Sequence, residues 1–218
     1  MFMALPTSLI SKARRIAKLV ARAHYHTKNL DLVPSIEEFI AFSSEIVNAV
    51  PAATTRALDI GSGPTPRNPF RAAEVWGTDI RANEVLNVRE ADLAVGAIPF
   101  SSESFDYVTA HDFLEHIPRV IYMPQRRFPF VELMNEVWRV LRPNGLFLSS
   151  TPIYPFAEAF RDPTHVNLMT SDTFTEYFDD RQRLAAMYGF TGAFEVVDQK
   201  LNDCKLLALL RKKTAPSD

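Results

Sequence analysis

Two glycines and an acidic residue are spaced in a way that can hold a nucleoside. The short apolar run 57–60 predicts a buried strand, and Gly61 and Gly63 follow it directly. Glycine has no Cβ, so the backbone here can adopt positive φ and approach a ligand closely. Asp79 closes a second apolar run, where its carboxylate can accept hydrogen bonds from a ribose diol. This order of strand, glycine turn, strand and acid is typical of a doubly wound α/β sheet that binds a nucleoside.

The residues after Gly63 argue against a pyrophosphate ligand. Dinucleotide sites carry a third glycine where this chain has Pro66, and Pro64 and Pro69 flank that position. Proline has no backbone N–H, so few phosphate donors and little regular helix are expected here. The chain also lacks the Gly-Lys-Ser/Thr phosphate loop at this turn. A nucleoside without bridging phosphates is therefore the better ligand.

A third acid, Asp92, follows the next predicted strand. It can accept a hydrogen bond from an exocyclic adenine amine, while Leu93 can pack on the ring. The polar segment 99–104 then leads into a fourth strand, 105–108. Because ligands bind at the carboxyl ends of the strands in open α/β sheets, the chemistry is expected at these ends.

The second half of the chain predicts the rest of a sheet. Leu133, Val137, Val140 and Leu141 form the buried stripe of a helix that ends at 143–145. A fifth strand is predicted over 146–151, a helical segment over 173–178, and a closing hairpin of strands over 194–198 and 205–210.

Six segments in register resemble the class I S-adenosylmethionine-dependent methyltransferases, in particular the broad type 11 group. They are 58–63, 77–80, 91–93, 99–108, 114–117 and 136–145. Their order and spacing carry the resemblance, since a lone Gly-x-Gly is weak evidence. The resemblance implies a doubly wound, Rossmann-like α/β sheet of seven strands with an antiparallel last strand, preceded by N-terminal helices. It also implies S-adenosylmethionine as the cofactor.

The same resemblance implies a cofactor site at the carboxyl ends of the first four strands. Asp79 and Asp92 would hold the ribose and the adenine, and Gly61 and Gly63 would let the methionine portion lie against the backbone. Asp59 would orient the glycine turn. The full set of implied cofactor-site residues is Asp59, Gly61, Ser62, Gly63, Asp79, Ile80, Asp92, Leu93, His111 and Asp112. The proline-rich turn departs from the family, which usually begins a full helix there.

His111 and His116 follow the fourth strand and are candidates for the reaction. His111 can lie near the sulfonium or the acceptor. Methyltransferases of exocyclic base amines carry Asp/Asn/Ser-Pro-Pro-Tyr/Phe at this place, whereas residues 110–113 are Ala-His-Asp-Phe, which disfavours base methylation. The resembled group often has a histidine at the position of His116 whatever the substrate, so a structural role is favoured there.

A second candidate cluster lies in the segment 161–167, after the fifth strand. Pro163 forces Asp162 out of the helical region, so a shaped loop is expected. His165, oriented by Asp162, could take the proton from a sugar hydroxyl, because an imidazole suits general-base catalysis at neutral pH. The segment resembles one in methyltransferases associated with bacterial surface-glycan synthesis. Alternatively, Asp162 and Thr164 only cap a turn and His165 satisfies a backbone carbonyl.

The segment 119–130 is longer than the resembled group usually has, and it is both basic and aromatic. Arg126 and Arg127 could bind the phosphate or carboxylate of a nucleotide-sugar or lipid-linked acceptor. Equally, both arginines can stay in solvent. Phe128 and Phe130 could stack on a sugar or a base, but anchoring of the loop to the core is favoured.

The composition excludes several classes of protein. The chain has 218 residues, a formal net charge of −2 and a sequence pI of about 6.2, so no nucleic-acid partner is expected. Its single cysteine, Cys204, excludes a disulfide framework and a cysteine-rich zinc site, and no metal is expected. No apolar run reaches the roughly eighteen residues of a membrane span. A cytoplasmic enzyme with a small-molecule or glycan acceptor is the expectation.

Residues 1–50 are predicted to form a helical appendage or lid, and residues 51–218 the methyltransferase domain. The first thirty residues contain no Asp or Glu, and their basic residues form one stripe of an amphipathic helix. Such a helix could make peripheral contact with an anionic membrane or belong to an organelle transit peptide, but a capping helix is favoured. A second helix is predicted over 35–50, with Ser35 as its cap.

Three functions follow from these observations. The leading one is O-methylation of a saccharide or a related polar small molecule. A methyltransferase of a quinone, lipid or secondary metabolite is the nearest alternative, and a membrane-seeking N-terminal helix would suit it. From another class comes a non-catalytic binding module with a methyltransferase fold. The intact acids Asp59, Asp79 and Asp92 argue against this last function.

Overall fold

The computed structural model describes residues 30–43 and 54–214, together with Lys12 and residues 15–17. Within these residues the chain forms one eight-stranded sheet. The strands are β1 (Asp31–Leu32), β2 (Arg56–Ile60), β3 (Glu74–Asp79), β4 (Val88–Glu90), β5 (Phe105–His111), β6 (Leu141–Pro152), β7 (Phe194–Asn202) and β8 (Lys205–Lys212). The helices outside residues 12–17 are α1 (Ile36–Phe42), α2 (Pro129–Val140), α3 (Glu158–Arg161) and α4 (Asp172–Tyr177), with 3₁₀ turns at Glu84–Leu86, Leu114–His116 and Leu184–Tyr188.

The strands follow a doubly wound order, β1-β7-β8-β6-β5-β2-β3-β4. Neighbouring strands are parallel except for β8, which is antiparallel to both β6 and β7. The winding direction changes between β2 and β5, so the carboxyl ends of these two strands flank the crevice where ligands bind in such sheets. The predicted α/β fold class, including the antiparallel last strand, is confirmed.

The strand count differs from the predicted seven because β1 adds an eighth strand at the edge. β1 pairs in parallel with β7, and Lys200 Nζ lies 2.9 Å from Asp31 Oδ2 across this pair. Both residues of β1 are exposed, so the strand has no alternation of apolar and polar residues. A two-residue strand of this kind leaves no periodic signal in the sequence.

Each face of the sheet carries its own apolar core. Successive side chains of a strand point to opposite faces, so Leu58 and Val108 pack with Met134 of α2. Ala57 and Tyr107, one position earlier, pack with Phe39 of α1 on the other face. Both helices are therefore needed to shield the central strands from water.

Helix α2 begins where its sequence requires but ends at Val140, before the predicted end at 143–145. Pro129 stands at its first turn, where the fixed φ of proline suits a helix and its missing N–H costs nothing. Leu133, Val137 and Val140 are buried, as the predicted stripe requires. The helix ends at Val140, and Leu141 already has an extended backbone and pairs with Phe105. Leu141 therefore belongs to β6, which begins earlier than the predicted strand 146–151.

The proline-rich turn between β2 and β3 contains no helix, as its prolines predict. The turn is fixed by Asn68, whose side chain exchanges two hydrogen bonds, of 2.8 and 2.9 Å, with the backbone of Ala72. Phe70 stacks on Tyr107 with a centroid distance of 4.4 Å. The turn and α1 thus cover the face that a crossover helix would otherwise cover.

The predicted cap of the second N-terminal helix is confirmed. Ser35 Oγ accepts a hydrogen bond of 3.1 Å from the backbone N–H of Glu38 at the start of α1. The rest of that predicted helix, most of the basic helix and the predicted domain boundary at residue 50 lie outside the described residues. In the part of the chain that the structure describes, no helix has the length and apolarity needed to cross a bilayer.

The packing of α1 on the sheet can be tested with two phenylalanines of the same helix. Phe39 is fully buried, whereas 74% of Phe42 is exposed. We expect Phe39→Ala to lower the free energy of unfolding by about 3–5 kcal/mol, because it removes buried apolar surface and leaves a cavity. Phe42→Ala, the matched control, should change it by less than about 0.5 kcal/mol. Equal values in urea denaturation would contradict this packing.

Candidate functional site

The glycine turn after β2 has the backbone that a closely held ligand needs. Gly61 and Gly63 have φ of +65° and +63°, in the region that disfavours other residues. A Cβ at Gly61 would lie 2.1 Å from the ring of Phe113, so this glycine is required by packing. A Cβ at Gly63 would meet nothing within 4 Å, so the backbone of Gly63 borders open space.

Asp59 lies in the interior beneath this turn. Its Oδ1 accepts a hydrogen bond of 2.7 Å from Thr109 Oγ1 on β5, and its Oδ2 accepts one of 2.8 Å from the backbone N–H of Arg67. Burial raises the pKa of the Asp59 carboxyl to about 6, although both hydrogen bonds oppose that shift. Because both oxygens are engaged within the protein, Asp59 acts on the geometry of the turn.

Asp79 ends β3 beside the glycine turn. Its Oδ2 accepts a hydrogen bond of 3.0 Å from the backbone N–H of Gly63, and its Oδ1 has only a long contact of 3.4 Å with Arg81 N. The carboxylate is half-buried and borders the open side of Gly63. Ile80, which follows, is 64% exposed. Asp79 therefore keeps capacity to accept hydrogen bonds from a ligand.

The remaining implied cofactor residues lie in different environments. Asp92 is exposed, and its Oδ1 accepts a hydrogen bond of 3.0 Å from Ala94 N. Leu93 is buried in the core shared with α2. Asp112 is held at the end of β5 by Lys205, whose Nζ lies 2.7 Å from Asp112 Oδ2. Ser62 Oγ donates to the carbonyl of Gly63.

His111 is buried at the end of β5, and neither ring nitrogen has a hydrogen-bond partner among the described residues. Strand alternation places it on the α1 face, with Thr109 and Tyr107. Burial is the main cause that lowers the pKa of His111 to about 4, and the positive charge of Arg67 adds to it. The imidazole is therefore neutral at physiological pH.

The predicted loop after β6 brings two histidines together. We call His116, Asp162, Thr164 and His165 the histidine cluster. Asp162 has an extended backbone before Pro163, as predicted, and its Oδ1 accepts hydrogen bonds from Thr164 N at 2.8 Å and Thr164 Oγ1 at 2.7 Å. The rings of His116 and His165 are edge to face with centroids 4.9 Å apart.

The hydrogen bonds of Thr164 fix the tautomer of His116. Thr164 Oγ1 lies 3.0 Å from His116 Nδ1 and 2.7 Å from Asp162 Oδ1. An ionised carboxylate accepts but cannot donate, so the single hydroxyl hydrogen goes to Asp162. Thr164 Oγ1 must then accept from Nδ1–H of His116. In the neutral ring, the lone pair that can take a proton therefore lies on Nε2.

His165 is placed by the other oxygen of the same carboxylate. Its Nε2 lies 4.0 Å from Asp162 Oδ2, which is too long for a hydrogen bond but close enough for electrostatic attraction once the ring is protonated. Its Nδ1 is buried and has no hydrogen-bond partner among the described residues. Asp162 thus faces both imidazoles, one through Thr164 and one directly.

Glu115 anchors this loop to the ends of β5 and β6. Its backbone carbonyl accepts hydrogen bonds from Val166 N at 2.9 Å and Asn167 N at 3.0 Å, and its buried carboxylate accepts one of 2.8 Å from Thr151 Oγ1. Burial raises the pKa of the Glu115 carboxyl. Among the described residues, Glu115, His116 and His165 also bring ligand atoms within 4.8 Å of one another, a set that could hold a metal ion.

Several contributors to this site escaped the sequence analysis. Thr109 and Thr151 bind the buried acids from neighbouring strands, and Phe113 packs on Gly61. Threonine is common in strands, so its type gives no functional signal. One feature of the sequence could have indicated the pairing of Thr109 with Asp59. Thr109 follows the predicted strand 105–108, and Asp59 lies at the end of the predicted strand 57–60.

The sequence of the central strands matches a known family. Residues 58–149 match the family model described as a methyltransferase domain. No curated protein matches the chain. The matched residues run from β2 to β6 and include the glycine turn, Asp79 at the end of β3, His111 at the end of β5 and the turn that carries His116.

Solved structures of low sequence identity share the fold. A putative methyltransferase from Bacillus halodurans is 16% identical, has a TM-score of 0.53, and the match covers 81% of this chain and 100% of that one. A SAM-dependent methyltransferase from Archaeoglobus fulgidus is 16% identical and has a TM-score of 0.51, and the match covers 82% of this chain and 93% of that one. The [4+2]-cyclase SpnF is 13% identical and has a TM-score of 0.51, and the match covers 82% of this chain and 81% of that one. Because the same fold occurs in a cyclase, these likenesses establish the architecture alone.

Residues 58–149 form a methyltransferase domain, which makes the protein an enzyme that transfers a methyl group from S-adenosylmethionine. The expected resemblance to the S-adenosylmethionine-dependent methyltransferases is confirmed at this level.

The buried imidazole of His111 predicts a pH dependence of stability. Its pKa is about 4 in the folded state, whereas an imidazole in water has an ordinary pKa of 6.5. The unfolded chain therefore binds more protons between these values, and the folded state loses stability as the pH falls through this window. The full shift corresponds to about 3 kcal/mol.

The measurement is urea denaturation of the wild type and His111→Gln at about pH 7 and pH 4. The wild type should lose about 3 kcal/mol more than the variant, because glutamine does not titrate. Any constant effect of the substitution cancels in this comparison. Equal losses would mean that His111 is not shielded from water.

Proposed function

We propose that the protein transfers a methyl group to a hydroxyl oxygen of a polar small molecule, with a saccharide as the leading acceptor class. The observation that carries this proposal is the position of Asp162, which faces both His116 and His165. A carboxylate that orients an imidazole is a common arrangement for removing a proton from a hydroxyl group. Methylation of a carboxylate would need no such base.

The residues around the glycine turn fit the cofactor. Gly63 borders open space, and the carboxylate of Asp79 lies beside it with one oxygen free of short hydrogen bonds. In the proposal, Asp79 holds the ribose diol, Asp92 accepts from the adenine amine, and Ile80 covers an apolar face of the nucleoside. The other members of the proposed site, which shape or support it, are Asp59, Gly61, Ser62, Leu93, His111 and Asp112.

The chain's own task is to position the acceptor and remove its proton. S-adenosylmethionine supplies, when bound, a methyl group that its sulfonium makes electrophilic. In the proposal, His165 takes the hydroxyl proton, and Asp162, whose Oδ2 lies 4.0 Å from His165 Nε2, stabilises the imidazolium that forms. Positioning accounts for much of the rate in reactions of this kind, because it removes the entropic cost of bringing the groups together.

His116 is a second candidate for the base. The hydrogen bond from its Nδ1 to Thr164 leaves the lone pair on Nε2, the state that a general base needs. The sequence favoured a structural role for this residue, so the relay through Thr164 is the specific observation that brings it into the proposal.

The other functions predicted from the sequence differ in their acceptor or in catalysis. A quinone, lipid or secondary metabolite would use the same cofactor site with a different acceptor. A non-catalytic module is less well supported, because the acids of the proposed cofactor site are present. We also propose a cytoplasmic location and peripheral membrane contact through the predicted basic N-terminal helix.

Calorimetric titration tests the cofactor site first. We expect S-adenosylmethionine and S-adenosylhomocysteine to bind, and Asp79→Ala to weaken binding by about 10- to 100-fold through the loss of charged hydrogen bonds. The cofactor affinity of Asp79→Asn should lie between those of the wild type and Asp79→Ala, because the amide oxygen of asparagine can still accept a hydrogen bond from Gly63 N. Asp180→Ala, a change at an exposed acid outside the proposed site, is the control. Failure of the folded wild type to bind either compound would overturn the proposal.

The base is tested by turnover with an acceptor found by screening free sugars and nucleotide-sugars for release of S-adenosylhomocysteine. His165→Gln should lower kcat by about 100-fold or more, with cofactor affinity unchanged. A larger loss in His116→Gln than in His165→Gln would assign the base to His116 instead.

The orientation of His116 can be measured without any acceptor. A long-range ¹H–¹⁵N correlation spectrum should show His116 protonated at Nδ1 in the wild type. Thr164→Val should disturb this tautomer and Thr164→Ser should restore it, because only the serine keeps the hydroxyl group. An Nε2–H tautomer in the wild type would contradict the relay.

A further inference from the structure

A pocket of about 390 Å³ lies between the inserted segment 119–130 and α4. This volume is within the range of small-molecule sites, roughly 300–1,000 Å³. Apolar and aromatic side chains form most of its wall. They are Val120, Phe128, Phe130, Leu168, Tyr177 and Tyr188.

The mouth of the pocket is apolar as well. Val120, Leu168, Tyr177 and Tyr188 line the pocket and yet are between 36 and 43% exposed. Soluble proteins rarely leave apolar side chains grouped at the surface without a use for them. The opening therefore suits a ligand whose apolar part enters from solvent.

The charges in the wall do not select an ionic ligand. Arg119 contributes a positive charge, and Asp172 and Glu176 contribute negative charges. Arg119 donates to neutral oxygens, at 2.7 Å to Asn167 Oδ1 and also to the carbonyl of Leu168. With charges of both signs present, the apolar surface is the feature that a ligand would recognise.

Two residues that line the pocket lie close in the chain to the histidine cluster. Leu168 follows His165 by three residues, and Arg119 follows His116 by three. Successive Cα atoms are 3.8 Å apart, so each pair is separated by no more than about 11 Å. The hydrogen bond from Arg119 to Asn167 ties the two loops together at this wall. A ligand long enough to span about 11 Å can thus occupy the pocket and reach the histidines.

We infer that this pocket binds an uncharged hydrocarbon or ring portion of the acceptor. The acceptor is then amphipathic, with its hydroxylated head at the histidine cluster and its apolar body between the segment 119–130 and α4. This inference rests on the proposed function and narrows its acceptor class. It also gives the inserted segment a role, because Val120, Phe128 and Phe130 form one side of the pocket.

The experiment uses hexyl, heptyl and octyl β-D-glucosides, each below its critical micelle concentration, with glucose as the reference. Affinity is measured by calorimetry on the full chain in the presence of S-adenosylhomocysteine. We expect affinity to rise about fourfold with each added methylene, the gain from moving one methylene out of water. Affinity that does not change with chain length would overturn the inference.

Two matched substitutions place the binding site. Val120→Trp should block the pocket mouth and abolish the dependence on chain length. Val85→Trp makes the same change at a valine that is 91% exposed and does not line the pocket, so it should bind like the wild type. Tyr188→Ala, which removes part of the wall without adding bulk, should weaken octyl glucoside by about tenfold or more.

The outcomes separate the pocket from the proposed function. Chain-length dependence that survives unchanged in folded Val120→Trp and Tyr188→Ala would mean that the alkyl chain binds elsewhere, and the inference would fail. If the pocket binds the glucosides but the chain does not bind S-adenosylmethionine, the proposed function fails and the pocket stands. If the chain binds S-adenosylmethionine but its affinity for the glucosides does not depend on chain length, the inference about the pocket fails and the proposed function stands.

Discussion

The site depends on one buried carboxylate, that of Asp59. It accepts hydrogen bonds from Thr109 on the neighbouring strand and from Arg67 in the proline-rich turn. Desolvation disfavours its charge, so both bonds are needed to keep it in place. Because no helix follows the glycine turn, these contacts take over the positioning that a helix would supply. The open side of Gly63 and the carboxylate of Asp79 are placed as a consequence.

Glu115 repeats this arrangement one strand further along the sheet. It is also buried, and Thr151 on the adjacent strand donates to it as Thr109 donates to Asp59. The backbone carbonyl of Glu115 then holds the loop that carries His165. Two buried acids, Asp59 on β2 and Glu115 in the 3₁₀ turn after β5, each accept a hydrogen bond from a threonine of a neighbouring strand and thus fix the two halves of the candidate site. A buried acid is stable only when it is hydrogen-bonded, which couples the fold to the site.

The same fold occurs in methyltransferases and in a [4+2]-cyclase, so the strands do not decide the acceptor. In our proposal that choice belongs to two loops. They are the inserted segment 119–130, which forms one wall of the apolar pocket, and the loop that carries Asp162 and His165. Loops on a rigid sheet can vary in this way because the core does not depend on them.

The sequence by itself determined the order of the main strands along the chain, the glycine turn, the cap at Ser35 and the extended backbone before Pro163. Each of these features follows from local periodicity or from the backbone limits of one residue type. It also placed Asp59 and Asp79 at strand ends. Only the tertiary structure decided which acid meets which hydroxyl, that Asp162 faces His116 through Thr164, and that β1 joins the sheet. These contacts join segments far apart in the chain, and no local pattern encodes the distance between them.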